Sequence, residues 1–555
     1  MLYSAIFFVP RWFINKSVRI ECNSIYIGID RRLDFLAEKA KFDRTNPSLQ
    51  KFVYNDRYSK PTRTMKFRFR SRIPLVVVSV FLAIAVFFSS GVRSATPDPQ
   101  VLHVLNRLSY GPSPGDLDRI REMGVDDYIE SQLHPENIAL PRSLKRQLRQ
   151  LETLKLTPVE LFKRYDRSQQ PEPNNDEARR RLQQRTQKPI KEARQARILQ
   201  ALASGRHLEE VMVNFWFDRF NVSADKGKTR LWVGAYEQEA IRPHALGKFR
   251  DLLEATARHP AMLFYLDNWR NTDPDSPGAR GRFRGLNENY ARELMELHTL
   301  GVDGGYTQDD VVTLAHILTG WGLDEKGEHG KSGFYFDRDR HDSSDKVLLG
   351  TPISGGGIDE VERALDLLAR HPSTAHHISY QLAQYFVADE PPKALVEKLA
   401  RRFSDTDGDI REVLDTLFHS REFSDPKYFD RKFKTPYQFI ISALRATGIQ
   451  DPKVGRVLGS LSQLGMTLYG CRTPDGYPDT QEAWLSPDAT IRRVNLAIDI
   501  AKGRFAKVEN AEVEPEVLSR TLGNPFSDNT QETISASSAE LRASLMLGSP
   551  EMMYR

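Results

Sequence analysis

Apolar residues recur along most of this chain at the three-to-four spacing of a helix face, and strict alternation is rare. Val101, Leu102, Val104, Leu105 and Leu108 form one such face. Tyr110-Gly111-Pro112-Ser113-Pro114-Gly115 breaks it, so 100–135 reads as two helices around a turn. Residues 139–200 are highly charged and read as solvated helices interrupted by a polar loop at 168–176. Residues 207–270 read as three packed helices, the first including Val211 to Phe220 and the last Phe249 to Leu266. Further helices are predicted over 358–370, 374–388, 392–403, 410–419, 435–447, 453–465, 487–503 and about 538–547. Only Gly333–Asp337 and Lys346–Gly350 read as β-strands, flanking Arg340-His341-Asp342 and pairing as one hairpin. The predicted class is therefore mainly α, a multi-helical globular domain with one small β-hairpin, and no internal repeat points to a solenoid.

One predicted helix, 287–300, carries unusual chemistry. Leu286, Tyr290, Leu294 and Leu297 share a face at about 100° per residue, and Asn289, Glu293 and Glu296 line one border of it. Glu293 lies nearest the apolar centre and should be at least half buried. A buried carboxylate must be paired, metal-bound or protonated. Gly301-Val302-Asp303-Gly304-Gly305 stops this helix, and Thr307 caps the next, with Asp310 in the capping-box position.

Composition adds compartment rather than chemistry. The 555 residues suffice for one large or two ordinary domains, and 40% hydrophobic with 28% charged residues is globular. A net charge of +5 is too small to argue for nucleic acid at this length. Lys66, Arg68, Arg70 and Arg72 precede an uncharged run from Ile73 to Phe88, followed by small residues. That is the pattern of a secretory signal. Two readings of the first 95 residues follow. Either Met65 is the true start and 1–64 a doubtful upstream segment, with 65–95 a signal peptide, or 1–64 is a cytoplasmic tail and 73–90 an uncleaved anchor in the inner membrane. The first is preferred because a cleaved signal has a short basic region. Both place 96–555 outside the cytoplasm, periplasmic or secreted, with membrane contact only through 73–90. Cys22 and Cys471 are the only cysteines, so no disulfide framework holds the domain.

The residues support several candidate sites and a bland alternative for each. Asn289, Glu293 and Glu296 suit a cation or acid–base work; equally, Glu293 pairs structurally with an arginine such as Arg107, Arg242 or Arg284. Glu288, Arg292 and Glu296 form a surface ladder. His298 falls on the opposite border, and neither His-Glu-x-x-His nor Glu-x-x-His occurs here. His341-Asp342 suits an acid–base pair, or a merely solvated loop. The loop Asp475-Gly476-Tyr477-Pro478-Asp479-Thr480 leads to Trp484 and offers two carboxylates and a ring, or a capped turn. His371-Pro372 sets up the following helix, with Ser373 or Thr374 as cap. Asp405-Thr406-Asp407-Gly408-Asp409 has glycine fourth and Thr416 twelfth, which fits a turn with Asp409 as N-cap and Glu412 at N3 rather than a calcium loop.

An ordered series of segments is more specific than any of these. It comprises Leu105–Pro112, Phe215-Trp216-Phe217-Asp218-Arg219-Phe220-Asn221, Ile241–Gly247, the 287–301 helix and Leu318-Thr319-Gly320-Trp321. It continues with His341-Asp342, His371–Ala375, Lys434-Thr435-Pro436, Asp475–Thr480, Trp484–Pro487 and Leu547–Glu551. Over roughly 100–555 the chain resembles the bacterial family called domain of unknown function 1800. That resemblance implies a helical, mostly exported protein, often encoded beside a sulfatase-like protein, which is thereby an expected partner. The family usually has Asn-His-Phe where this chain has Asp218-Arg219-Phe220. An Asp-Arg pair orients groups but cannot repeat imidazole chemistry.

Two functions are therefore expected. The preferred one is a binding or assembly module for the sulfatase-like partner. The alternative is an exported hydrolytic or metal-assisted enzyme. Its polar cleft would gather Glu293, His341 and Asp479 as catalytic residues, with Arg242, Asn289, Arg292 and Trp484 binding substrate. The sequence assigns no metal and no cofactor, and nucleic acid is not expected.

Overall fold

The computed structural model describes residues 99–508 and 511–555. The readings of 1–64, 65–95 and Cys22 fall outside the described residues. Helices form wherever the three-to-four spacing runs for two turns or more, and most are ended by Gly, Pro or a side-chain cap. The N-terminal region gives α1 (Pro99–Leu108), α2 (Asp116–Met123) and α3 (Val125–Leu133). Gly124 at φ 96° separates the last two, so the region holds three helices rather than two. The charged stretch forms α4 (Arg142–Arg149), α5 (Pro158–Tyr165), α6 (Asp176–Thr186) and α7 (Lys188–Ala203). Helix α6 buries no residue, as a solvated helix should, but α7 buries Ile190, Ile198, Leu202 and the charged Arg197.

The centre of the domain is α8 (His207–Arg219), buried continuously from Glu210 to Phe217. A helix apolar on all sides has no solvent face. Helices α1, α3 and α7 pack against it, and the chain continues with α9 (Thr229–Tyr236), α10 (Phe249–Arg258) and α11 (Pro260–Tyr265). Helix α9 runs into a wider π-helical turn, Glu237–Ile241. Pro260 divides the predicted 249–266 helix in two, and His259 Nδ1 caps the second half by accepting from Ala261 N at 3.1 Å. The chain continues with α12 (Asn289–Glu296) and α13 (Gln308–Ile317), the latter with its predicted Thr307–Asp310 capping box.

Four short strands follow: β1 (Trp321–Leu323), β2 (Phe334–Phe336), β3 (Lys346–Leu348) and β4 (Thr351–Ile353). The two predicted strands exist but do not pair with each other. β2 pairs antiparallel with β1, and β3 with β4. β3 closes on β4 through the two-residue turn Leu349-Gly350, both at positive φ, which costs little loop closure.

The remaining helices match the predicted spacing closely. They are α14 (Ile358–Ala369), α15 (Pro372–Phe386), α16 (Lys393–Asp405), α17 (Ile410–Phe418), α18 (Pro436–Ala446) and α19 (Val454–Gln463). After them come α20 (Gln481–Trp484), α21 (Pro487–Ala501), α22 (Pro515–Leu522), α23 (Asp528–Ala536) and α24 (Ala539–Gly548). α15 lies along α16, and α21 along α24. Asp409 caps α17 by accepting from Glu412 N, as the turn reading required. His371 itself caps α15 through Nδ1, in place of the expected Ser373 or Thr374. One continuous apolar core, with Trp216, Trp232 and Trp321 fully buried, runs through the described residues. Among those residues no helix is long and apolar enough to cross a membrane.

Candidate functional site

Helix α12 is shorter than the predicted 287–300 and buries Tyr290, Ala291, Leu294 and Met295. Leu297 is only half buried, so the inward face is turned from the one predicted. Glu293 therefore sits at the edge of the face, half buried, with half-buried Glu296 one turn on. Its carboxylate accepts no hydrogen bond from a described residue. Burial raises its pKa, and the nearby charges of Glu296 and Asp475 raise it further. Asp475 is exposed on the loop after Cys471. Tyr265, whose hydroxyl donates to Arg472 O at 2.8 Å, lies against the same carboxylates, and burial pushes its phenol up. Glu293, Glu296 and Asp475 thus form an accessible carboxylate rim.

A carboxyl whose pKa is raised on folding holds its proton more tightly in the folded state. Its effect on stability is therefore unfavourable above its ordinary pKa of 4.5 and grows as pH rises through the raised value. We expect Glu293→Gln to leave the melting temperature at pH 7 unchanged or slightly higher, and to flatten its dependence on pH above 4.5. Thermal melts at pH 4, 5.5 and 7 check this; a large destabilisation would mean that Glu293 has a structural partner.

Behind the rim, the 471–479 loop is fastened to the end of α8. Asn221 Nδ2 donates to Cys471 O at 3.2 Å and to Thr473 O at 2.7 Å. Gly476 sits at φ +72°, and a Cβ there would lie 2.0 Å from Asp218 O. Only glycine permits this approach. Gly476→Ala is accordingly expected to cost about 2 kcal/mol or more, from positive φ and a backbone clash together. Urea unfolding measures it. Asp218 accepts from Asn214 Nδ2 at 3.2 Å, and burial pushes its carboxyl up to about 7, against the pull of Arg219 and Arg197. It lines a cavity of about 20 Å³ with Arg197, Asn214, Asn221, Tyr437 and Tyr469. That is room for about one water. The buried Cys471 thiol is raised by burial, so it is not an activated nucleophile.

The other predicted site residues are held elsewhere. His341 is not a solvated loop residue but fully buried, its Nδ1 3.0 Å from Thr319 O and its Nε2 3.0 Å from Glu360 Oε1. Residues distant in sequence enclose it, which local pattern cannot reveal. Asp479 is buried too. Arg219 donates to its carboxylate at 2.8 Å, and Lys432 Nζ to its carbonyl at 3.0 Å. Burial alone would raise Asp479, but Arg219 and Lys432 hold it below the usual range. Arg242 is spent on Glu210, at 2.8 and 2.9 Å, and on Glu237 at 3.4 Å. Arg292 pairs with Glu288 at 3.1 Å, as the ladder predicted, and Asn289 is exposed. Trp484 Nε1 donates to Pro478 O at 2.7 Å, and its ring lies 6.1 Å from Tyr477. No contact among the described residues joins Glu293, His341 and Asp479 into one cleft; of the rim's carboxylates, only Asp475 comes from the predicted 475–484 loop. His298 is buried against Phe220 and Tyr290, and burial lowers it to about 3.

Sequence reasoning missed a buried charged chain beneath the rim. Arg197 pairs with Glu237 and donates to Asn214 Oδ1 at 3.0 Å. Tyr469 donates to Glu237 at 2.7 Å, and Arg242 joins Glu237 to Glu210. Burial would raise Glu237, but Arg197 and then Arg242 hold it below its ordinary value. The signal was present: a helix apolar all round, such as α8, forces Glu210 and Asn214 to find interior partners. Among the described residues, no group of three or more His, Cys, Asp or Glu is placed to hold a metal ion.

The family described as "Protein of unknown function (DUF1800)" matches residues 103–554. No curated protein matches the chain, and no solved structure does.

Proposed function

The chain belongs to the DUF1800 family, and we propose that it is an exported helical module that binds or assembles with a sulfatase-like partner through its carboxylate rim. One observation carries this reading. The interior groups that a reaction would need, His341, Asp479 and Arg242, are all consumed in buried pairs, while the accessible carboxylates Glu293, Glu296 and Asp475 stand at the surface. Arg219 supports it. At the position where relatives usually carry histidine, it stacks 4.0 Å over Phe215 and binds Asp479, a packing role rather than proton transfer. A fixed patch of one charge favours fast, oriented docking of a complementary surface. The basic, apolar and small-residue succession of 66–95 supports export.

Co-expression with a sulfatase-like protein, of the kind often encoded beside members of the family, tests the reading. The account expects the two to co-purify in equal amounts. A clean monomer at high concentration beside that protein would oppose it.

A second reading, the hydrolytic or metal-assisted enzyme, is favoured by one observation. Asp218, pushed up to about 7 by burial, is a carboxyl poised for proton transfer near neutral pH, and burial raises Glu293 above its ordinary value. Turnover of a substrate by the purified protein, abolished by both Glu293→Gln and Asp218→Asn with folding intact, would establish that reading instead.

A further inference from the structure

The charge of the chain is unevenly spread. Residues 139–200 hold sixteen Lys and Arg against seven Asp and Glu, a net +9 beside +5 for the whole chain, so the remainder is net −4. Part of that excess lines one groove of about 660 Å³. Helices α6 and α7 form one wall. They run on through Gln187, whose backbone stays helical at φ −90° and ψ −9°. Arg181, Arg185, Lys188 and Lys191 therefore share a face over about 15 Å of helix. Glu152, Arg164 and Tyr165 line the opposite side.

The carboxylates of the groove are already engaged. Glu192 accepts from Thr153 N and Oγ1 at 2.7 and 2.8 Å, and Glu152 holds Lys188. Four cations are not. Lys191 is exposed, and its side chain makes no hydrogen bond or ion pair to a described residue. Arg185 uses only Nε, on Arg164 O at 2.9 Å, which fixes its guanidinium and leaves both terminal amino groups without a described partner. Arg164 stands 3.7 Å from Glu152 and 3.7 Å from Glu160, too far for a direct hydrogen bond. Arg181 pairs with Glu177, but both are largely exposed, and such a pair is worth little. Tyr165 is the one ring among the lining residues. It is buried, with Arg185 and Lys188 each 6.0 Å from its centre.

We propose that this groove binds a linear polyanion, a polymer of tetrahedral oxyanions lying along the 181–191 face. Cations spread over three helical turns match a chain of repeated charges; one small anion reaches only one or two of them. The groove offers donors and no free acceptor, which suits groups rich in acceptor oxygens, and arginine binds such oxyanions through its planar fork. With its carboxylates engaged it has nothing to accept from the hydroxyls of a neutral sugar. With Tyr165 buried beneath cations it has no platform on which a nucleobase stacks. A bilayer surface is flat and does not enter between the two walls. The proposal stands independently of the partner reading, since the groove and the carboxylate rim share no residue.

Titration of the full-length protein at low salt with sodium polyphosphate and with dextran sulfate tests it, beside triphosphate, neutral dextran, polyglutamate and phosphatidylglycerol vesicles. The expected result is saturable binding of at least one of the two polymers, the tighter one identifying phosphate or sulfate as the source, with weaker binding of triphosphate and none of dextran. The log of the affinity should fall against the log of salt with a slope of about −3, four contacts at about 0.7 each. Arg181→Gln/Arg185→Gln/Lys191→Gln should weaken binding on the order of tenfold or more and bring the slope to about −1. Its melting temperature should be unchanged, because all three side chains are exposed. Arg179→Gln/Arg180→Gln, on the same helix but outside the groove, should weaken binding less. No saturable binding of either polymer would overturn the proposal, as would unchanged binding in the triple variant or equal loss in the two sets of variants. So would polyglutamate or the vesicles binding as tightly as the polymers.

Discussion

Glu360→Ala should destabilise the domain by about 3–5 kcal/mol, the cost of stripping one member from a buried charge network. Glu360 has no exposed side-chain surface. It receives Lys346 Nζ at 2.8 Å and the backbone N–H groups of Gly356 and Gly357 at 2.8 and 3.0 Å, and its other neighbour is His341. Removing the carboxylate leaves Lys346, itself buried, and His341 without it, and uncaps the first turn of α14. The same group sets a pH dependence. Burial would raise its pKa, but the hydrogen bonds from His341, Lys346 and the two amides hold it at about 2, below the ordinary 4.5. A depressed carboxyl contributes stability that is fully present above 4.5 and lost as pH falls toward 2. At the size of that shift the contribution is about 3 kcal/mol. Urea unfolding from pH 7 to pH 2.5 should therefore show wild type losing stability below 4.5, and Glu360→Ala losing less there because it has already lost the term at pH 7.

Glu237→Leu should cost a similar amount, about 3–5 kcal/mol, by a different route. Glu237 in the π-helical turn is the only carboxylate bonded to Arg197 among the described residues, and both side chains are 2% exposed. Its loss strands the Arg197 guanidinium inside the core and releases the Tyr469 hydroxyl. Arg242 retains Glu210, so the damage centres on Arg197. Adding Arg197→Met to Glu237→Leu removes the orphaned charge. The double variant should recover most of the stability, since a buried pair is often replaceable by apolar groups of similar volume. Failure of the second substitution to restore anything would mean that the pair positions the 469–477 loop as well as balancing charge.

Both large effects fall on residues whose burial was hard to read in the chain. Helices α14 to α19 were legible because their apolar residues repeat at helical spacing over several turns, with Asp409 and Thr435 capping two of them. The hairpin was half legible. Its strand residues stood out, but β1 is three residues after a glycine and β4 contains Pro352, so their partners did not. Glu293 was legible from its place on the wheel, although Ala291 and Met295 turn the buried face further than the leucines suggested. His341 and Asp479 were legible as unusual residues in turns, but not as buried ones. Glu360 and Arg219, which neutralise or surround them, lie 19 and 260 residues away. The Arg197–Glu237 pair spans 40 residues between helices that each look ordinary alone.

The central claim is that the interior charges hold the fold while the rim of Glu293, Glu296 and Asp475 recognises a partner. The most direct test is titration of the full-length protein with a sulfatase-like protein of the kind proposed as its partner, comparing wild type with Glu293→Gln/Asp475→Asn. The account predicts saturable binding by wild type, weakened on the order of tenfold in the double variant at unchanged melting temperature, and by more at low salt than at high. Equal affinity in the two proteins, or no binding by wild type, would contradict it.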